Sequence, residues 1–368
     1  MNSITLAKFC IFELKFVRRM SPQPINFRRG ESIPSLSSIK LKSESGSSFP
    51  TTPMKLYLTS AYRTHSCLDS LRNYAELSSS VNHSVCTEPA EADAIVFIEN
   101  TQFDDLLFKT LLKHPLVEQY KDNVFMYNEV DRPWDALPGL YCCMTTNNFN
   151  PNRHRAFAYL HTPNPYIGSI HKQEIEKRWL YSFVGSMSHS SRRPIMQLRD
   201  DRGYVQDTSD FNVWNSHATE LEIRGQSYAN ILAASQFVLC PRGIGSSSIR
   251  LFETMQAGRV PVIISDDWVP PSETDWSFAI KIEERRISSI PGFLKVLQEE
   301  SPERGLAARK AWEDNYAPET LFNTLGDLLD SLLASDAHKR RTNHGSNLQK
   351  WLATGELLTR AAAQRLRG

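Results

Sequence analysis

The sequence predicts an α/β protein of two domains in succession with a cleft between them. Three observations predict it. Short β-rich apolar runs, KLYLTS from Lys55, AIVFIEN from Ala94 and NVFMYNEV from Asn123, alternate with helically spaced stretches such as Phe103 to Leu116. A second series of apolar runs, from Trp179, Ser235, Val260 and Phe278, repeats the alternation. Strands separated by helices pair in parallel and are covered by those helices. In the first series each run ends on polar residues: Ser60, then Glu99 and Asn100, then Asn128 and Glu129. Ligands of open parallel sheets sit at those carboxyl ends.

The elements divide as follows. Residues 1–53 read as a tail or linker, because Ser21 to Pro53 is rich in Ser, Pro and charge and cannot fill a core. Residues 54–170 form the first α/β domain and 171–335 the second, with the boundary near 165–178. The segments DRPWDALPGLYCCM from Asp131 and HTPNPYIG from His161 read as irregular connections. Residues 336–368 carry an amphipathic helical pattern with basic residues toward its end, favourable to the helix dipole.

Composition limits the partners. Forty-two basic and forty-one acidic residues leave a formal charge of +1, so no global field draws the chain to nucleic acid or anionic lipid. Lys8, Glu13 and Lys15 interrupt the apolar N-terminal run well short of the roughly 20 residues of a membrane span. The expectation is a soluble protein, cytoplasmic or peripheral to a membrane. Cys10, Cys67, Cys86, Cys142, Cys143 and Cys240 contain no CxxC pair, which favours free thiols in a reducing compartment; Cys67 paired with Cys86 is the alternative for a secreted chain.

The richest stretch is SQFVLCPRGIGSSSIRLFETMQAGRVPVIISDD, Ser235 to Asp267. Pro241 ends a buried strand. Gly243 and Gly245 let main-chain N–H groups turn toward one point, and Ser246, Ser247 and Ser248 supply hydroxyls and an N-cap for the next helix. Unsatisfied N–H donors at a positive dipole end bind anions. Arg250, in the first turn, is unfavourable there unless an anion is present, and Arg242 stands on the other side of the loop. Glu253 shares a face with Arg250, placed either to accept from ribose hydroxyls or to form a surface ion pair of about 0.3 kcal/mol. The stretch has neither the Walker lysine nor a G-x-G-x-x-G order. A second loop of the same kind, Gly185 and Ser186 through Arg192 and Arg193, also follows a strand.

These residues resemble the exostosin family of glycosyltransferases. The resemblance is carried by YSFVGS with Arg192 and Arg193 downstream, by the Ser235 stretch continued through DWVPP, and by DWSFAIKIEERRISSIPGFL, over about residues 178–300. It implies a double-Rossmann, GT-B type fold, two Rossmann-like domains facing a cleft. The donor, a UDP- or GDP-linked sugar, would lie mainly on the second domain, and a glycan or other hydroxyl acceptor would face the first. It implies hexosyl or glycuronosyl transfer with inversion, with no cofactor and no catalytic metal. Arg250 would then contact the diphosphate, assisted by Arg242, Gly243 and the three serines. Glu253 would contact the ribose, Gly185, Ser186 and one of Arg192 or Arg193 would line the opposite wall, and Asp266 would complete the donor set. Arg259 departs from the family pattern at the helix end, and the absent anchor and stem depart from Golgi members.

Inversion needs a base from the first domain. His65, in the loop after the first strand, is the leading candidate, followed by Glu129 and Asp131. The competing function is a nucleotide- or glycan-binding protein on the same fold without turnover, and a third is a scaffold in which the Arg242, Arg250 and Glu253 cluster has no ligand.

Overall fold

Alternating apolar runs and helices assemble into two separate sheets in which every strand pair is parallel. The computed structural model describes residues 52–62, 66–78, 82–100, 105, 107–132, 134–160, 164–211 and 217–335. The first sheet contains β1 Met54–Thr59, β2 His83–Val85, β3 Ala94–Glu99, β4 Val124–Asn128, β5 Gly139–Tyr141 and β6 His154–Ala156, in the order β2-β1-β3-β4-β5-β6. Its helices are α1 Ser66–Leu77, α2 Lys109–Leu112 and α3 Pro115–Gln119. The helix expected over Phe103 to Leu116 is two short ones where it is described. Pro115 cannot continue a helix from His114, and the His114 side chain instead caps the new one at Leu116 N. The connection expected from Asp131 contains β5, and β6 follows it. Three-residue strands of this kind are held by pairing with neighbours, a signal local periodicity does not carry.

The second sheet runs β11-β10-β9-β7-β8. In chain order its elements are β7 Trp179–Gly185, α4 Arg192–Met196, β8 Gly203–Asp207, α5 Ala218–Ala233, β9 Ser235–Pro241, α6 Ile249–Gln256, β10 Val260–Ile264 and β11 Ile280–Lys281. Helices α7 Ile290–Val296, α8 Ser301–Asn315 and α9 Leu321–Ala334 follow. Gly258, at φ +65°, closes α6 in the left-handed conformation expected of a C-cap glycine. Arg259 is buried and donates to the carbonyls of Ala233, Ala257 and Gly258, so this departure from the family pattern satisfies the carboxyl ends of α5 and α6.

Side chains alternate across each sheet. Leu56, Val96, Phe125 and Tyr127 face one core of the first domain, and Ile95, Phe97, Val124 and Met126 face the other. The domain partition by packing differs from the expected 54–170 and 171–335. Leu321, Phe322, Leu325, Leu328, Leu329 and Leu332 of α9 lie in the first domain's core, while Ile167 and Ile170 lie in the second's. The chain therefore crosses between domains twice, near 157–160 and again after Tyr316. The apolar stripe of α9 is buried by whichever sheet face remains uncovered, and that face belongs to the first domain. Residues 1–51 and 336–368, with the expected tail, Cys10 and the C-terminal helix, lie outside the described residues.

Both sheets belong to one compact unit, and their carboxyl edges meet. Thr145 bridges Trp268, Thr146 N donates to Asp267 O at 2.9 Å, and Ser246 Oγ donates to Met144 O at 3.3 Å. The described cysteines, Cys67, Cys86, Cys142, Cys143 and Cys240, are free thiols. Among the described residues no helix is long and apolar enough to cross a membrane.

Candidate active site

The loop from Pro241 to Ser248 links the end of β9 to the start of α6, and the loop from Ser186 to Ser191 links β7 to α4. One side chain ties them together. Arg192 is buried and donates from Nε to Arg242 O at 2.9 Å, from Nη1 to Ser186 O at 2.8 Å and from Nη2 to Pro241 O at 3.4 Å. Its neighbour Arg193 is exposed, so of the two arginines only Arg192 joins the loops. Gly243 lies against the same guanidinium: a Cβ there would meet Arg192 Nη2 at 3.2 Å and Ser188 Oγ at 3.4 Å.

Arg250 projects from the first turn of α6 onto the end of β7. Its Nη2 donates to the carbonyl of Val184, and its guanidinium lies 4.7 Å from the Phe183 ring centroid. Arg192 lies 5.6 Å from the same ring. Two guanidinium groups thus share one aromatic ring, and among the described residues their hydrogen bonds go to backbone carbonyls rather than to a carboxylate. Burial and the repulsion of Arg250 push Arg192 down to about 9, against the opposing field of Asp131. Among the described residues these cations have no bonded counter-ion, and they stand at a helix N-terminus, which is where an anion is stabilised.

Three buried polar atoms around this point have no hydrogen-bond partner among the described residues: Arg242 Nε, Ser247 Oγ and Arg250 Nε. Buried donors are seldom left unsatisfied. Ser247 is 6% exposed, which leaves its hydroxyl little access to solvent. Arg242 also faces Asp267, Nη1 to Oδ2 3.7 Å. Ser248 occupies the N-cap position with extended backbone, but its hydroxyl makes no cap bond, so the expected side-chain cap is absent and the first N–H groups of α6 are left to other acceptors. The Ser246 hydroxyl is turned to Met144 O in the first domain.

Glu253 stands one turn along α6. Its partner is not Arg250 but Tyr228 of α5, whose hydroxyl donates to Oε2 at 2.8 Å. Burial pushes the Glu253 carboxyl up, while Tyr228 and Arg250 draw it back. Asp266 is exposed; its Oδ1 accepts from Glu284 N at 3.0 Å and its own N–H donates to Glu284 Oε1 at 3.4 Å, an exchange that anchors the 3-10 helix Glu284–Ser289. The acid after β10 thus ties the end of that strand to the start of this 3-10 helix.

The candidate bases separate. His65 lies outside the described residues. Glu129 follows β4 and accepts from Cys67 Sγ at 2.5 Å, with Asn100 Nδ2 3.3 Å from the same sulfur. Asp131 reaches the cradle formed by the β9–α6 loop with the Arg192 and Arg250 guanidinium groups. A Cβ on Gly245 would lie 2.5 Å from Asp131 Oδ1 and 2.4 Å from Cys143 Sγ, so only glycine lets the loop and these first-domain groups approach so closely.

The match that decides the family covers these elements: the exostosin GT47 domain matches residues 113–297, just over half of the 368-residue chain. The chain belongs to the exostosin GT47 family. The exostosin-1 homolog of Caenorhabditis elegans is 36% identical over 137 residues, 33% of this chain and 36% of that protein. A probable glycosyltransferase of Arabidopsis thaliana is 31% identical over 119 residues, 30% of this chain and 22% of that protein. The chain thus aligns with about a third or less of the length of either relative. Of solved structures, a glycosyltransferase from Rickettsia africae is 8% identical at TM-score 0.36, covering 80% of this chain and all of that one (100%). WaaG, a glycosyltransferase involved in lipopolysaccharide biosynthesis, is 12% identical at TM-score 0.36, covering 75% of this chain and 99% of that one.

Sequence reasoning missed three groups in this exostosin chain and the role of a fourth, Glu99, which it placed only at a strand end. Phe183 and the Val184 carbonyl position Arg250, and the adjoining Gly185 in YSFVGS was the available signal. Tyr228 orients Glu253 from a helix distant in sequence, with no local signal. Glu99, 1% exposed at the end of β3, accepts from Ala61 N at 2.8 Å and Ser60 Oγ at 3.1 Å and thereby holds the loop that follows β1.

Proposed function

We propose that this exostosin-family chain is a glycosyltransferase that moves a sugar from a nucleoside-diphosphate sugar, UDP- or GDP-linked, to a hydroxyl of a glycan or other acceptor, with inversion. The observation that carries this reading is the set of orphaned donors, Arg242 Nε, Ser247 Oγ and Arg250 Nε, all on the loop and first turn that open α6. A diphosphate supplies acceptor oxygens to each of them and counter-charge to the guanidinium groups. Glu253, held by Tyr228, takes the ribose hydroxyls as acceptor.

In the reaction the acceptor oxygen bonds to the anomeric carbon as the bond from that carbon to the diphosphate oxygen breaks. The electron pair leaves on the diphosphate. Charge that develops there is stabilised by Arg250, Arg242 and the N–H groups of α6, which carry out the neutralisation a metal performs elsewhere. The acceptor proton passes to a carboxylate of the first domain, Asp131 or Glu129. Arg192 positions the two loops rather than gripping the donor alone.

Calorimetric titration of UDP and GDP, together with a screen for transfer or slow hydrolysis of their sugars, tests the reading. Arg250→Ala is expected to weaken binding of the diphosphate by at least tenfold. A chain that binds neither nucleotide, or an Arg250→Ala variant with unchanged affinity, would falsify it. Tight nucleotide binding without turnover of any sugar would favour the non-catalytic binding protein instead.

A further inference from the structure

One first-domain carboxylate reaches the β9–α6 loop. Asp131, three residues beyond the end of β4, packs on Gly245 in the middle of the β9–α6 loop. The titratable and charged groups around it come from both domains. Arg132 adjoins it in the chain. The Cys143 thiol, after β5, points to Oδ1 at 3.9 Å and exchanges a hydrogen bond of 2.9 Å with the Tyr159 hydroxyl. Across the seam stands Arg192, with Arg250 beside it on Phe183. Asp131 is the acid whose field supports the Arg192 charge against burial and against Arg250. Glu129 is coupled instead to the first-domain thiol of Cys67.

We propose that Asp131 is a proton acceptor switched on by the donor: without a donor its carboxylate serves as counter-charge to the guanidinium groups of the cradle, and a bound diphosphate takes over that role and leaves Asp131 as the base. The inference rests on the sugar-nucleotide reading above. Its logic is electrostatic. A diphosphate brings about two or more negative charges to the cations that Asp131 faces, which both neutralises its partners and adds like charge nearby. Each effect raises the affinity of the carboxylate for a proton. The base thus becomes competent only when a sugar is in place to receive the acceptor oxygen. The acceptor O–H proton passes to the Asp131 carboxylate as the acceptor oxygen bonds to the anomeric carbon and the diphosphate departs with the electron pair. When the diphosphate dissociates, the cations regain Asp131 as counter-charge and its proton returns to solvent.

The coupling has a thermodynamic signature that a purely structural aspartate lacks. Binding of UDP or GDP to the wild type is expected to take up protons between about pH 3.5 and 5.5, where a carboxylate raised by about one unit titrates while remaining ionised, and so able to accept a proton, at pH 7; the uptake is read by titration calorimetry in two buffers of different ionisation enthalpy. Asp131→Asn is expected to bind the nucleoside diphosphate about tenfold tighter, as removal of a like charge equivalent to one pKa unit requires. It should show only the proton change of the nucleotide itself and transfer no sugar. Asp131→Ala should reproduce the tighter binding. Equal or weaker binding by folded variants, or a wild type whose proton uptake does not exceed that of the nucleotide, overturns the inference while leaving the sugar-nucleotide reading intact. A wild type that binds neither UDP nor GDP overturns both.

Discussion

Gly185→Ala tests the cradle without touching any group proposed to contact the ligand by its side chain. A Cβ at this position would lie 2.7 Å from Arg250 Nη2 and 3.0 Å from Phe183 Cζ. The guanidinium must retreat by about 0.7 Å to regain an ordinary contact of 3.4 Å. That retreat breaks its hydrogen bond to the Val184 carbonyl and loosens its seat on the Phe183 ring. A hydrogen bond from a charged group contributes about 1.5–3 kcal/mol and a partly desolvated cation–π contact about 0.5–1 kcal/mol, part of which the displaced arginine recovers from water. The expected cost is about 1–2 kcal/mol in stability and about a tenfold loss of UDP or GDP affinity. Calorimetry on Gly185→Ala, Arg250→Lys and the double variant measures it. Because both changes act on one guanidinium, the double variant should lose less than the sum, with a coupling of about 1 kcal/mol. Additive losses, or an affinity within twofold of wild type for Gly185→Ala, would refute the placement of Arg250 in the anion site.

Three further outcomes follow from other parts of the molecule. Glu253→Gln is expected to weaken UDP several-fold while hardly changing 2′-deoxy-UDP; equal losses for the two would remove Glu253 from the ribose. Burial pushes Glu99 up to about 7 from its ordinary 4.5, and pushes Glu273 up to about 7 as well. Over that window the folded chain holds protons that the unfolded chain has released, so stability falls as pH rises from about 4.5 to about 7 and levels off above it. Glu99→Gln should make that decline shallower in denaturant midpoints taken at about pH 5 and about pH 7.5, and identical pH dependence in variant and wild type would contradict the assignment. Leu329, fully buried on α9, should cost about 2–5 kcal/mol as Leu329→Ala. Hydrogen exchange should then accelerate in β1, β3 and β4 more than in β9 and β10; the reverse pattern would place α9 with the second domain.

Much of the candidate site was legible because its chemistry is contiguous in the chain. A strand, a glycine and serine loop, an arginine in the first helical turn and a glutamate one turn later all fall between Ser235 and Glu253, so backbone physics alone marks a candidate anion cradle there. The same local reading mistook roles wherever a partner came from elsewhere. Ser248 was expected to cap α6 with its side chain, yet its hydroxyl does not. Asp266 was grouped with the donor residues, and only the fold shows that it also accepts from Glu284 N. Arg192 and Arg193 were indistinguishable as neighbours in sequence, and only the fold buries the first and exposes the second.

What the sequence by itself determined is the set of strong local signals: two series of β-rich runs alternating with helices, the ends of the long strands, and the glycine turns that break them. Those depend on hydrophobic period and on backbone conformations only glycine adopts freely, both properties of a few adjacent residues. The tertiary structure alone decided the rest. It assigned α9 to the first core, built β5 and β6 from three-residue runs, gave Tyr228 to Glu253 and brought Asp131 against Gly245. Each of these depends on which buried surfaces and charges meet across long stretches of chain, and packing and electrostatic energies are set by that meeting rather than by neighbours in sequence.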